Sequence, residues 1–234
     1  MTDQETCWKK WIRLGALAAF LQLVCIILMG VLPALIGGKP ETVTEYFIVM
    51  QANGFIGVLR DESPVMIIMF LYIFTFYGIY AATKKENAAF SAFAMILTFI
   101  AVVCYFSSHT GFSMLYLSDQ YADAVTEAEK NQILAAGRAV IAQNGWNSTG
   151  GYMAGLLLQG SGIMISVMML KSDYFSKLTG ISGLLANGLD LLQHIVHPFH
   201  IAMPLAVLMA AGSIYLIWFP ALGWDLLKIG RKSN

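Results

Sequence analysis

Residues 77–96 read YGIYAATKKENAAFSAFAMI, a charged insert from Thr83 to Asn87 set between two apolar runs, Pro64 to Ala82 and Ala88 to Phe106. A hydrocarbon core about 30 Å thick is crossed by about 20 helical residues rising about 1.5 Å each. Both runs meet that length. The insert is too short for anything but a tight turn, so the runs are expected to be antiparallel neighbours. Because lipid offers the main chain no hydrogen-bond partner, each run must be a helix; tilted barrel strands would be far shorter.

Working outward from this pair, four more runs qualify: Leu14 to Ile36, Gly151 to Leu170, Leu178 to Val196 and Pro198 to Phe219. The expected fold is an all-α, polytopic transmembrane bundle of six spans (14–36, 64–82, 88–106, 151–170, 178–196, 198–219) in one domain, 1–234. Composition agrees, with 58% hydrophobic and 12% charged residues over 234 positions and a mean hydropathy of +0.67, where a soluble domain would be about a quarter charged. Zero net charge gives no reason to expect nucleic acid as a partner. The first run is expected to stay as a span, since it ends in PALIGGKPE rather than a small-residue cleavage site. Cys7, Cys25 and Cys104 are an odd set without metal-site spacing, so no disulfide framework is expected.

Charge sets the orientation. With the amino terminus cytoplasmic, the inner segments hold ten basic residues (Lys9, Lys10, Arg13, Lys84, Lys85, Lys171, Lys177, Lys228, Arg231, Lys232) against Lys39, Arg60, Lys130 and Arg138 outside. Both termini are therefore expected inside a plasma membrane. Trp8, Trp11, Trp218 and Trp224 fall at the inner interface and Trp146 at the outer one, where amphipathic rings prefer to sit. Two outer segments exceed simple turns. Residues 42–59 read as an interfacial or re-entrant helix, because inserting them as a span would carry Lys84 and Lys85 outside. Residues 107–150 contain a capping-box pattern at Thr126–Glu129, followed by Ile133, Leu134, Val140 and Ile141 at helical spacing, which predicts an amphipathic cap. Small residues, Gly151 with Gly155 and Gly160 with Gly183 and Ala186, are expected to let spans four and five approach closely.

The stretch 77–96, the stretch DYFSKLTGISGLLANGL (173–189) and the carboxy-terminal HIAMPLAVLMAAGSIYLIWFPALGWDLLKIG (200–230) resemble corresponding parts of a family of bacterial and archaeal six-span membrane proteins of unknown function. The resemblance implies the six-span bundle and supplies no catalytic residues. The histidine-rich corner described next is not a feature of that family.

That corner, DLLQHIVHPFH (190–200), carries the chemistry. Steps of four and three residues put Asp190, His194 and His197 on one helix face. Pro198 is expected to end that helix and start the next, leaving His200 one turn into span six. His109 is expected at the same outer end, beyond span three. Imidazole nitrogens and a carboxylate converging at about 2 Å would satisfy a tetrahedral zinc or a nitrogen-rich copper site, so Asp190, His194, His197, His200 and His109 are the candidate ligands of one transition metal. Other readings stand beside it. Gln159 on span four or Asn187 one turn earlier would hold Asp190 in a structural hydrogen bond, and histidine also suits a proton relay. Met29, Met66, Met69, Met153 and Met203 fill the outer bundle either as core or as soft ligands for copper(I). Zinc with an open position would activate water, with Ser107, Ser108 or Asp190 assisting, an arrangement similar in residue types to intramembrane ceramidase-like hydrolases. The function classes left open are a metal-dependent membrane enzyme or metal-holding subunit, a non-catalytic accessory subunit joined to other membrane subunits or to further copies of itself, and, less favoured, a carrier.

Overall fold

The computed structural model describes residues 3–61, 63–145, 147–201 and 203–231. Its helices are α1 (Asp3–Ile36), α2 (Val43–Ala52), α3 (Gly54–Arg60), α4 (Ser63–Ser107), α5 (Gly111–Asp123), α6 (Glu127–Ala142), α7 (Thr149–Lys171), α8 (Lys177–Val196) and α9 (Leu205–Arg231), with a 3₁₀ turn at His197–Phe199. No strand occurs among the described residues. Among the described residues four helical stretches are long and apolar enough to cross a membrane: Glu5–Ile36, Pro64–Asp123, Thr149–Lys171 and Met209–Arg231.

The charged insert behaves as its sequence dictates. Asn87 leaves the helical region, at φ −154° and ψ 86°, and its Oδ1 accepts from the Phe90 N–H at 3.0 Å, which caps a new helix. The chain reverses there. Thr83 and Ser91 join hydroxyls at 2.9 Å, although eight residues of straight helix would hold them about 12 Å apart. Thus α4 is two arms, 63–86 and 88–107, joined by a tighter turn than the whole of TKKEN.

Five elements close a ring in the order α1, α4, α7, α8, α9 and back to α1. The first arm of α4 lies on α1, where Gln22 donates to the Ile68 carbonyl at 3.2 Å and accepts from the Thr75 hydroxyl at 2.8 Å. At their crossing Gly15 and Gly78 meet main chain to main chain, so a Cβ on Gly78 would stand 2.7 Å from the Gly15 Cα. The second arm lies on α7, through Thr98 and Ser161 at 2.7 Å. α7 and α8 do approach on small residues, though only partly the expected ones. Gly155 seats His194, Gly162 seats Asn187 and Gly183 seats Ser166 and Trp218, whereas a Cβ on Gly160 would meet open space.

α8 falls outside the four apolar stretches for a visible reason. Leu178, Ile181, Leu185, Leu192 and Ile195 form an exposed apolar stripe, while its packed face is Thr179, Gly180, Ser182, Gly183, Ala186 and Asn187. Small and polar residues on the inside lower the average without removing the outward apolar face.

The two ends of the ring differ. At one end lie the start of α1 and the end of α9, with Arg13 donating to the Gly230 carbonyl at 3.1 Å, Ser172 to Glu86 at 2.7 Å, and Lys84 over the Trp8 ring. At the other end a cap of α2, α3, α5 and α6 packs its own apolar core around Val43, Tyr46, Phe47, Met50 and Met114, with Ile133, Leu134, Val140 and Ile141 of α6 against it. The capping box at Thr126 and Glu129 is present, and a second stands at Thr42 and Glu45. Segment 42–59 is therefore two short helices, parted at Asn53.

Three expectations change. Trp218 is not at an interface but fully buried, its ring tilted against those of Tyr215 and Phe219, because α9 continues past Pro220 to Arg231 and carries it inward. α9 begins at Leu205 rather than Pro198, since Pro198 lies in the 3₁₀ turn that follows α8 and Pro204 stands just before the new helix. Consequently His200 is not a turn into that helix. It holds a left-handed conformation, φ 54°, in the exposed link. Trp146 lies outside the described residues.

Candidate functional site

The ring encloses a cavity of about 390 Å³ toward the capped end, open on one side and walled mainly by apolar side chains such as Ile26, Met29, Ile68, Met69 and Leu158. Its polar groups come from four helices and converge. Gln159 on α7 donates from Nε2 to Asp190 Oδ2 on α8 at 2.6 Å. The Tyr215 hydroxyl on α9 lies 3.0 Å from Gln159 Oε1 and 3.2 Å from the same Asp190 oxygen, with one proton to give. Tyr72 of α4 lines the cavity beside them, in ring contact with Phe219 at 5.9 Å.

His194 completes this group. Its Nδ1 sits 2.9 Å from the Asp190 main-chain carbonyl, one turn back on α8, and donates to it. That bond fixes the ring against the bare Cα of Gly155, where a Cβ would fall within 1.8 Å of the imidazole. Asp190 Oδ1 lies 4.0 Å from His194 Nδ1, beyond hydrogen-bond reach.

The sequence-derived ligand set separates into three places. Asp190 and His194 share the cavity. His197 opens the 3₁₀ turn after α8, and His200 lies in the exposed link. His109 stands in a different cluster under the cap, its Nε2 2.8 Å from the Asp61 carbonyl oxygen. Asp61, 1% exposed, accepts there from the Tyr46 hydroxyl at 2.6 Å and pairs with Lys39 at 3.2 Å. Among the described residues no group of three or more His, Cys, Asp or Glu side chains is placed to hold a metal ion. Two protein donors fall short of the three or four that a zinc site takes. The separation follows from the helix ends: Pro198 lies in the 3₁₀ turn before His200, and His109 bonds to Asp61 under the cap.

Of the partners considered from sequence for Asp190, Gln159 is the one engaged; Asn187 donates instead to the Gly183 carbonyl at 2.7 Å. Tyr72 and Tyr215 went unnoticed because they sit in apolar runs rich in aromatics. The available signal was their phenol oxygen, which needs a partner wherever it is buried.

The chain belongs to the family described as a domain of unknown function, DUF4386, which matches residues 64–224. That span takes in both arms of α4, α7, α8 and most of α9, and so nearly every wall of the cavity except α1. No curated protein and no solved structure matches the chain.

Proposed function

We propose that this is a six-span integral membrane protein of the plasma membrane, with both termini cytoplasmic, that binds a small amphiphilic molecule in the central cavity from the extracytoplasmic half. The six spans are α1, the two arms of α4, α7, α8 and α9. In support of the threading, the start of α1, the end of α9, the Asn87 turn and the α7–α8 connection gather at one end, and nine of the thirteen basic residues among those described belong to it.

The binding reading rests on one observation. A cavity of about 390 Å³ with apolar walls and a few convergent polar groups has the size and lining of small-molecule sites, which run from about 300 to 1,000 Å³. An ionisable residue facing such a space inside a membrane protein marks function more often than packing. The arrangement holds and orients a ligand, and its mainly apolar lining with a few convergent polar groups favours binding or carriage over hydrolysis.

Gly212 lines the cavity and a Cβ there would meet no atom within 4 Å. Gly212→Leu should fill the space and abolish retention of the small molecules that native mass spectrometry finds on protein extracted in mild detergent. Gly188 is equally open but does not line the cavity, so Gly188→Leu should leave retention unchanged. Equal retention in both variants would refute the cavity as the binding site. Elemental analysis of the same preparations addresses the metal reading, with stoichiometric zinc or copper lost in His194→Ala as the result that would restore it.

A further inference from the structure

We infer that the cavity selects a lipophilic organic cation, an inference that rests on the binding reading above. Among the described residues two carboxylates are buried, Asp61 and Asp225, and a third, Asp190, is partly buried against the cavity. Asp61 has Lys39 at 3.2 Å and Asp225 has Lys228 at 4.0 Å. Asp190 has neither lysine nor arginine within reach among the described residues, only the His194 ring at 4.0 Å from Oδ1.

Its hydrogen bonds are lopsided in the same sense. Gln159 and Tyr215 both address Oδ2, and Oδ1 carries no hydrogen bond among the described residues. No lysine or arginine lines the cavity. An ionised carboxylate in apolar surroundings is costly unless a positive charge stands beside it, and here the protein supplies the acceptor without the permanent cation.

The walls fit the same ligand. Tyr72, Tyr105, Tyr215 and Phe219 line the space, and Tyr215 and Phe219 stack at 5.7 Å next to the carboxylate. Faces of aromatic rings attract a quaternary or primary ammonium group, most strongly where water is excluded. The aliphatic side chains of α1, α4 and α7 then take the hydrocarbon body. A neutral amphiphile would gain only the second contribution, and an anionic one would face Asp190.

A charge series at constant chain length tests this: octyltrimethylammonium, octanol and octyl sulfate, titrated calorimetrically into the full-length protein in neutral-lipid nanodiscs, with empty discs as the partition blank. The ammonium compound should bind at least about tenfold more tightly than octanol, and octyl sulfate should not bind saturably. Asp190→Asn should bring ammonium and octanol within about twofold of each other, and Gly212→Leu should abolish both. Equal affinities for ammonium and octanol in the wild type would overturn the cation inference while leaving the cavity reading intact. Ammonium selectivity that survives Asp190→Asn would remove the role given to Asp190. Absence of saturable binding by any of the three would overturn both the inference and the reading beneath it. The wild-type series stands without a variant, so a misfolded substitution cannot shield the proposal.

Discussion

Asp225 and Asp190 lie on neighbouring helices at opposite ends of the bundle, and the protein treats them differently. Asp225, 3% exposed, accepts at one oxygen from the Ser176 main-chain N–H at 2.8 Å and the Thr179 hydroxyl at 2.6 Å, and meets Lys228 with the other. It pins the first turn of α8 to α9. Asp190 likewise takes both its hydrogen bonds on one oxygen, but no lysine or arginine stands beside it among the described residues, and its side chain borders open space. Leu222 and Leu226, beside Asp225 on α9, are fully buried. A polar group whose every surroundings are occupied holds the fold; one left facing a cavity is available for something else.

This contrast can be broken by stability measurements on detergent-purified protein. The largest effect should come from Gly78→Leu at the packed end, where main chain blocks the new side chain; a loss of about 3 kcal/mol or more is expected, seen as collapse of the monodisperse peak in size-exclusion chromatography. Asp225→Ala should cost about 2–3 kcal/mol, because two hydrogen bonds to a charged acceptor go and the Thr179 hydroxyl is left buried. Asp190→Asn should cost less than about 1 kcal/mol, since the amide keeps an oxygen for Gln159. A fall in Tm for Asp190→Asn as large as that for Asp225→Ala would make the two acids equivalent and end the distinction.

The cap offers the smallest effect and sharpens the comparison from outside the bundle. Hydrogen bonds from Thr126, main chain first and then side chain, and from the Val125 N–H hold the exposed Glu129 carboxyl below the usual carboxylate range. A lowered folded value contributes stability above the ordinary glutamate range, about pH 4, and that contribution is lost as pH falls through the lowered value. Protection of the first turn of α6, followed by hydrogen exchange corrected for intrinsic rates, should therefore decline in acid. Glu129→Gln should flatten that dependence while leaving the bundle's Tm unchanged.

Much of the site was half-visible before the structure. Depth along a helix follows from counting residues, so Gln159 and Asp190 could be placed at one level and their pairing anticipated. Direction around the helix was legible only locally, which is why Asp190 and His194 came out together. The link from Pro198 to Pro204 was misread as helix, because a hydropathy window averages over two prolines that the main chain cannot average. His109 stands apart for another reason: two histidines at the same end of a bundle need not face the same space, and the buried Asp61 holds this one under the cap.

The sequence alone determined that the apolar stretches would be helices, roughly where they break, and that Thr126 and Glu129 would start one, since a solvent without hydrogen-bond partners and short-range capping leave the main chain no alternative. Tertiary structure decided that five elements close into a ring, that glycines at 15, 78, 155 and 162 set the separations, and that the Asp190 carboxylate borders a cavity lined by no lysine among the described residues. Those outcomes depend on how side chains from distant segments share space, and residue order alone does not encode that sharing.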